Sequence, residues 1–203
     1  MTDMATKLKV RALRKSAKRN EKKRQIAESA INALQELGYA NTSLRDIASK
    51  SGMSLGILHY YFEDRSDLII YCVKTYKRDF VDGIITALDG ATDRSAVIDT
   101  LSGALAVSIV KDAKTHRMWY DIRNQALFDD TFRPATAAIE DMLVTIVSLA
   151  FVRSGHTEPA MIDIQYALLD GVFRYLLQGQ LKGTNDSDSA IKKVFASVLE
   201  QVL

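Results

Sequence analysis

The stretch "TSLRDIASKSGMSLGILHYYF", residues 42–62, decides the predicted fold. Thr42 and Ser43 place hydroxyls before a short run whose apolar residues recur at helical spacing, and Gly52 ends that run. Ser54 then begins a second short run, which ends on the ring-bearing residues 59–62. The pattern predicts two short helices joined across a tight turn.

Such a helix pair has the dimensions of a DNA reader. The major groove of B-DNA is about 12 Å wide and admits one α-helix. In a helix-turn-helix the first helix crosses the DNA backbone, and the N-terminal part of the second reaches the base edges. A generic helical hairpin would also place a glycine in its turn, so the turn alone leaves both interpretations open.

Fixed spacing across residues 42–68 resembles the signature of the TetR family of transcriptional regulators. The resemblance lies in Thr42, Asp46-Ile47-Ala48, Gly52-Met53-Ser54, Gly56, Leu58, Tyr60-Tyr61-Phe62 and Leu68. It implies an all-α homodimer with an N-terminal helix-turn-helix and a variable C-terminal ligand-binding domain. It also implies a ligand-responsive regulator, most often a repressor that a small molecule releases from a palindromic operator on double-stranded DNA.

The resemblance assigns ten residues to DNA contact. The hydroxyls of Thr42, Ser43 and Ser54 would meet phosphates at two helix N-termini. The tyrosine hydroxyls and Arg65 would do the same, whereas His59 stands where the family commonly has tyrosine. Each residue has a structural alternative, because the hydroxyls cap helices in any protein and the tyrosines can pack in a core. The ten are Thr42, Ser43, Ser54, Leu55, Gly56, Ile57, His59, Tyr60, Tyr61 and Arg65, of which 55–57 would face base edges.

Charge is unevenly distributed along the 203 residues. Residues 1–65 carry 13 Lys or Arg against 7 Asp or Glu, and the remainder carries 14 against 18. Ten of the basic residues lie between Lys7 and Arg24, and we expect residues 1–20 to be disordered or a frayed helix. This basic extension would either follow DNA phosphates or stay solvated.

Helical periodicity dominates the whole chain and predicts an all-α fold of about nine helices. The expected domains are the extension 1–20, a helix-turn-helix domain 21–66 and a ligand-binding and dimerisation domain 67–203. Separate helices are expected near 94–111 and 114–127. The longest uncharged stretch, residues 142–152, is too short for a bilayer that needs about 20 residues, so we expect a cytoplasmic protein with no membrane segment.

Two sets of C-terminal residues are candidates for regulation and assembly. Aromatic walls with a few polar groups are typical of a small-molecule pocket, although they equally describe a helical core. Trp119 and Tyr120 would suit a quaternary ammonium, as in the choline-sensing branch that this segment faintly resembles, and Arg123 would suit a carboxylate. The pocket candidates are Trp119, Tyr120, Arg123, Phe128, Tyr166, Asp170 and Phe173; the dimer candidates are Ile162, Leu169, Val172, Leu176, Val194 and Val198.

Other function classes have little support in the sequence. The histidines 59, 116 and 156 are far apart and have no metal-ligand spacing, and no glycine-rich phosphate loop is present. We therefore expect no catalytic residue, no metal and no cofactor. The remaining alternative is an α-helical protein–protein adaptor without sequence-specific DNA binding, which would leave the helix pair and the basic front unexplained.

Overall fold

The computed structural model describes residues 2–156, 161–184 and 186–203. Over these ranges the chain is helical throughout, without strands, which confirms the predicted all-α class. The helices are α1 (Thr2–Leu37), α2 (Leu44–Ser51), α3 (Leu55–Tyr61), α4 (Arg65–Leu88), α5 (Arg94–Gln125), α6 (Arg133–Arg153), α7 (Ile162–Lys182) and α8 (Asp188–Val202).

Helix α5 explains the difference between eight observed helices and about nine predicted ones. It covers both of the helices expected near 94–111 and 114–127. Asp112 interrupts it with a non-helical φ of −117° and ψ of 22°. The two predicted helices are therefore one helix with a kink, because a single residue leaves helical geometry and no loop intervenes.

Helix α1 is longer than expected. The sequence predicts that residues 1–20 are disordered or a frayed helix, whereas the structure continues α1 back to Thr2. Residues 2–37 contain neither glycine nor proline and are rich in Ala, Leu, Lys and Arg, which are strong helix formers. The helix ends where Gly38 adopts a φ of 77° and donates its N–H to the Leu34 carbonyl at 2.9 Å.

The chain divides into two compact units, residues 1–75 and 76–203, with the division inside α4. The boundary predicted from the sequence lay earlier, between residues 66 and 67. The first half of α4 belongs to the N-terminal unit because Leu68 and Cys72 are fully buried in its core. Cys72 donates its thiol to the Ala27 carbonyl, and burial raises the pKa of that thiol, which makes it unreactive.

The core of the N-terminal unit comes from the inward faces of α1 to α4. Its buried residues follow the three- and four-residue steps of α1 and meet the single inward face of each short helix. The members are Ile26, Ala27, Ala30, Ala33, Ile47, Ala48, Leu58, Phe62, Leu68 and Cys72. This core fixes which face of α3 remains outside.

The C-terminal unit is built around α5, which contacts α6, α7 and α8. Helix α6 is long and apolar enough to cross a bilayer by length and composition alone. It instead buries Ile139, Leu143 and Ile146 within the unit, and its Arg153 pairs with Asp89 at 2.8 Å. These contacts place α6 in the bundle against α5 and α7.

Candidate nucleic-acid interface and effector cavity

Helix α2 begins with a reciprocal cap. Ser43 accepts a hydrogen bond from the Asp46 N–H at 3.2 Å, and the Asp46 carboxylate accepts from the Ser43 N–H at 2.8 Å. Ser43 also donates its hydroxyl to the same carboxylate at 2.5 Å. That hydrogen bond, followed by the one from the Ser43 N–H, lowers the pKa of Asp46. Ser43 is exposed at the start of α2, as a phosphate contact requires, but its hydroxyl already serves the cap.

Thr42 does not lie where the prediction put it. Its side chain is 2% exposed, and its hydroxyl donates to the Gly38 carbonyl at 2.6 Å. The hydroxyl therefore serves the end of α1, where carbonyls lack helical partners. A phosphate cannot reach it without breaking that bond.

The turn between α2 and α3 has the geometry that the glycine predicted. Gly52 adopts a left-handed φ of 63°, and the Met53 N–H donates to the Ala48 carbonyl at 3.0 Å. Ser54 then caps α3 by accepting from the Ile57 N–H at 3.3 Å. The turn and cap hold α3 firmly against the N-terminal core.

Helix α3 has one buried and one exposed side. Leu58 and Phe62 are buried in the N-terminal core. Gly56, His59 and Tyr60 are exposed, with Tyr60 at 69%. Ile57 is also exposed and Leu55 is half-buried. The candidate DNA-reading face is therefore available over the seven residues of α3.

Tyr61 and Arg65 are less available. Tyr61 is half-buried against the N-terminal core, with its ring centroid 4.9 Å from that of Tyr60 in an edge-on arrangement. Arg65 donates to the Thr42 carbonyl at 2.5 Å and to the Tyr39 carbonyl, and its guanidinium lies 4.2 Å from the Tyr39 ring centroid. Arg65 thus ties the start of α4 to the end of α1. The structure therefore corrects the prediction that Arg65 contacts a phosphate, because its guanidinium is already engaged by backbone carbonyls.

The basic extension forms a charged helical face. Arg11, Arg14, Lys15 and Lys18 recur at three- and four-residue steps on α1, and all four are exposed. Further along, Lys23 is half-buried and holds its ammonium 4.6 Å from the Phe62 ring centroid. The outer part of α1 therefore presents positive charge, while its inner part belongs to the folded core.

The C-terminal unit contains a cavity of about 60 Å³, a volume equal to that of a few water molecules. Its wall is mainly aliphatic and aromatic, from α4, α5, α6 and α7. The lining residues are Lys77, Phe80, Leu101, Leu105, Tyr120, Leu143, Ile146, Val147, Tyr166, Leu169, Asp170 and Phe173. Four of the predicted pocket residues are among them: Tyr120, Tyr166, Asp170 and Phe173.

A polar network beside the cavity is satisfied within itself. Asp170 accepts from the Tyr120 hydroxyl at 2.9 Å and from Arg123 Nη1 at 2.5 Å. Glu140 pairs with Arg123 Nε at 2.6 Å and accepts from the Tyr166 hydroxyl. Burial and these acidic partners raise the pKa of both tyrosines, which therefore stay protonated. Arg123 is thereby committed to two carboxylates of its own chain.

Lys77 is the cationic group that the sequence interpretation missed. It is 3% exposed, and its Nζ lies 4.9 Å from the Phe80 ring centroid, 5.2 Å from that of Trp119 and 5.6 Å from that of Tyr76. Burial lowers the pKa of Lys77 to about 7, although Asp170 and Glu140 act in the opposite direction. A lysine in the middle of a helix is normally exposed to solvent. The sequence around Lys77 therefore gives no indication that its side chain is buried.

His116 completes the aromatic wall behind Lys77. It is fully buried, and the Tyr76 hydroxyl lies 2.8 Å from its Nδ1. Burial and the charge of Lys77 lower the pKa of His116 to about 2, so the ring is neutral in the folded protein. Its ring centroid lies 4.7 Å from that of Phe173.

Two predicted pocket residues have different roles. Phe128 is 85% exposed in the segment after α5, so it contributes nothing to the cavity wall. Trp119 is buried, and the Lys77 ammonium already stands near its ring, where the prediction put a quaternary ammonium ligand. The tertiary structure fills that aromatic site with a cation from α4.

The predicted dimer residues divide between two faces of α7 and α8. Leu169 lines the cavity inside its own unit. The prediction that it lies in a dimer interface is therefore corrected. Ile162, Val172, Leu176 and Val198 are half-buried, and Val194 is exposed. The exposed stripe on α7 is Ile164, Leu168, Gly171 and Tyr175, rotated about the helix axis from the predicted stripe by roughly a third of a turn.

Metal chemistry has no visible support in the part of the chain that the structure describes. Within it, no three His, Cys, Asp or Glu side chains come together in a group that could hold a metal ion.

Comparison with known families finds a match within the N-terminal unit. Residues 26–72 match the family model described as bacterial regulatory proteins, tetR family. The match covers α2, α3, and parts of α1 and α4, which are the elements that form the exposed α3 face.

Individual relatives agree with that match. The transcriptional regulator BetI of Klebsiella pneumoniae (strain 342) is 27% identical over 75 residues, which is 37% of this chain and 38% of BetI. PksA of Bacillus subtilis (strain 168), also a transcriptional regulator of the helix-turn-helix type, is 20% identical over 188 residues, 90% of each protein. The crystal structure of a TetR-family transcription regulator from Marinobacter aquaeolei VT8 superposes with a TM-score of 0.71 at 17% identity, covering 91% of this chain and 97% of that one.

Proposed function

We propose that this chain, a DNA-binding transcriptional regulator of the TetR family, is a homodimeric repressor that a small molecule releases from a palindromic operator. It would act in the cytoplasm, with the DNA that it binds. The observation that carries the proposal is the exposed face of α3, held outward by a buried core, a left-handed glycine turn and two serine caps. We assign it no catalytic step and no cofactor.

Direct base contact would come from the first turn of α3. Gly56 has no side chain, so the helix backbone can approach the base edges closely there. Leu55 and Ile57 would meet thymine methyl groups, because neither can hydrogen-bond a base. His59 and Tyr60, both exposed, would donate to phosphates along the groove.

Dimerisation would place two such helices on one face of the duplex. A single helix-turn-helix reads one half-site, and dimers read two half-sites about 34 Å apart. The exposed apolar stripe of α7 supports an interface there, because Leu168 at 53% exposure and its neighbours Ile164 and Tyr175 have no covering helix among the described residues. Val194 of α8 extends the apolar surface.

Effector control would act through α4. This helix begins at Arg65 in the N-terminal unit and contributes Lys77 and Phe80 to the cavity wall. A ligand that binds one arrangement of the cavity more tightly would shift the population of α4 positions and thereby the DNA affinity. A coupling of about 1–3 kcal/mol suffices for that response.

Enrichment of genomic fragments on the purified protein tests the proposal. We expect a few fragments, among them the region upstream of its own gene, to be retained over bulk DNA. The Tyr60→Phe variant should bind them roughly tenfold more weakly, since a hydrogen bond to a charged phosphate is worth about 1.5–3 kcal/mol. Tyr71→Phe, the same change at a residue packed on the N-terminal core, is the matched control.

The same experiment separates the adaptor alternative. An adaptor would retain no genomic fragment in preference to bulk DNA, and Tyr60→Phe would behave like Tyr71→Phe. That result would remove the DNA-binding assignment, whatever partner protein the chain then proved to have.

A further inference from the structure

The C-terminal cavity holds a charged group, Lys77, that no residue in the described part of the chain pairs. The carboxylates of Asp170 and Glu140 are each occupied twice, by Arg123 and by a tyrosine hydroxyl. Lys77 Nζ, in contrast, has no ion pair or hydrogen bond with any residue that the structure describes. It lies instead near the faces of three aromatic rings.

An ammonium in this position is costly. The attraction of ring faces for a cation does not replace the water that burial removes. The lowered pKa of Lys77 reflects that cost. Because Lys77 lies in the cavity wall, a ligand entering the cavity could supply the missing acceptor.

A second unpaired donor lies next to it. Trp119 Nε1 is buried without a hydrogen-bond partner among the described residues, and the Lys77 ammonium stands over the Trp119 ring. Buried donors are rarely left without an acceptor in proteins. The rest of the cavity wall offers aliphatic surface from Leu101, Leu143 and Val147.

From this arrangement we infer that the effector is a small apolar carboxylate, whose anionic head pairs with Lys77 Nζ while its hydrocarbon body lies against the aliphatic wall. The inference rests on the proposed effector control and specifies its ligand class. It also excludes a quaternary ammonium at Trp119, because Lys77 occupies that ring face and would repel a second cation.

One competing role for Lys77 is purely structural. The carboxylates of Asp170 and Glu140 together with Arg123 carry a net charge of −1, which Lys77 balances at a distance. In that case the lysine would affect folding without distinguishing between ligands. The experiment must therefore compare ligands that differ in head-group charge alone.

The test uses the full-length protein and three matched probe series. Butyrate, hexanoate and octanoate are titrated against the alcohols and the alkyltrimethylammonium ions of the same chain lengths, with binding followed by calorimetry. We expect one carboxylate to bind about tenfold or more tightly than its alcohol, since charge-assisted hydrogen bonds are roughly twice as strong as neutral ones. The ammonium ions should not bind.

Variants at Lys77 then connect the preference to this residue. Lys77→Met should remove the advantage of the carboxylate and leave the alcohol equal or better. Lys77→Gln provides a second neutral side chain that can still donate a hydrogen bond, should the methionine variant fold poorly. Lys111→Met, a change at an exposed lysine of α5, should bind like the wild type.

Each other outcome overturns the inference. A preference for ammonium ions, no preference by charge, a preference that survives both Lys77 substitutions, or no binding by any probe would each do so. Fragment enrichment on the same preparation distinguishes this failure from failure of the proposed function. If the protein still binds its operator but does not bind carboxylates, only the inferred ligand class is wrong, and the proposed function stands.

Discussion

At the scale of single residues, two glycines four positions apart serve opposite purposes. Gly52 has a φ of 63°, which side chains disfavour, and a Cβ there would meet no other atom within 4 Å. Gly56 lies in α3 with helical geometry, and the nearest atom to an added Cβ is Ser54 Oγ at 4.0 Å. Gly52 is therefore required by the fold, whereas Gly56 is not.

Alanine substitutions should separate the two roles. Gly52→Ala should lower the free energy of unfolding by roughly 1–2 kcal/mol, the cost of a left-handed L-residue. Gly56→Ala should leave it unchanged or raise it by up to about 1 kcal/mol through helix propensity, yet weaken operator binding because the methyl group occupies the base-facing surface. Chemical denaturation and gel shift on both variants measure this. Equal DNA affinity for Gly56→Ala and the wild type would contradict the assigned groove face.

Lys77 predicts a dependence of stability on pH. Its folded pKa is lowered from 10.5 to about 7, so the unfolded chain binds this proton more tightly. The penalty is complete below pH 7 and disappears as the pH rises toward 10.5, so stability due to this residue increases across that window. Lys77→Met should stabilise the C-terminal unit by a few kcal/mol at about pH 6 and by little at about pH 10.5.

Unfolding monitored by the fluorescence of Trp119, the single tryptophan, reports on this unit at both pH values. Lys111→Met is the control, because that lysine is exposed and its removal should change neither value. A Lys77→Met variant that is less stable than the wild type at the lower pH would mean that the ammonium is a needed counter-ion in the folded unit.

At the scale of elements, α1 combines two functions along its length. Its C-terminal half buries Ile26, Ala27 and Ala30, and its N-terminal half presents basic residues to solvent. Because the basic face is helical, its charges keep fixed spacing and can be removed without changing the fold.

Replacing Arg11, Arg14, Lys15 and Lys18 by glutamine tests the basic face. Glutamine is a good helix former, so α1 should persist. If these residues contact phosphates, affinity should fall for every DNA sequence, and the slope of log affinity against log salt should flatten by roughly 0.9 for each phosphate that is no longer neutralised. A binding titration at several salt concentrations measures the slope. The double variant Lys111→Gln, Lys114→Gln is the control. An unchanged slope in the fourfold variant would mean that the basic face is solvated and does not contact DNA.

At the scale of the whole molecule, the proposed recognition of a palindromic operator requires two copies of the chain. The exposed stripe of Ile164, Leu168, Gly171 and Tyr175 offers apolar surface with a glycine that permits close helix approach. Stable dimers need a buried apolar centre of this kind. The stripe lies on the side of α7 away from the cavity residues Leu169 and Phe173.

A charge in this stripe should dissociate the proposed dimer. Leu168→Asp would place a carboxylate at the centre of the interface, where burying it unpaired is prohibitive. Analytical ultracentrifugation should then find monomers, and gel shift should find weak binding to the full operator. Val152→Asp introduces the same charge at an exposed valine of α6 and should leave the dimer intact. A dimeric Leu168→Asp protein would place the interface elsewhere.

The sequence by itself determined what depends on neighbours three or four residues apart. The caps at Ser43 and Ser54, the turn at Gly52 and the inward positions Leu58 and Phe62 are local features, and the structure agrees with each. Helix propensity also favours the full length of α1, because its sequence contains no helix breaker. The prediction underestimated that length because it gave more weight to the high charge of the segment.

The tertiary structure decided what depends on residues far apart in the chain. It buried Thr42, committed Arg65 to backbone carbonyls, left Phe128 in solvent and turned Leu169 toward the cavity. It also brought Lys77 beside Trp119 and joined Arg123 to Asp170 and Glu140. Periodicity shows that a helix has an inner side, but the partner that covers it is chosen by packing. Whether a charge is paired, buried or free therefore follows only from the assembled helices.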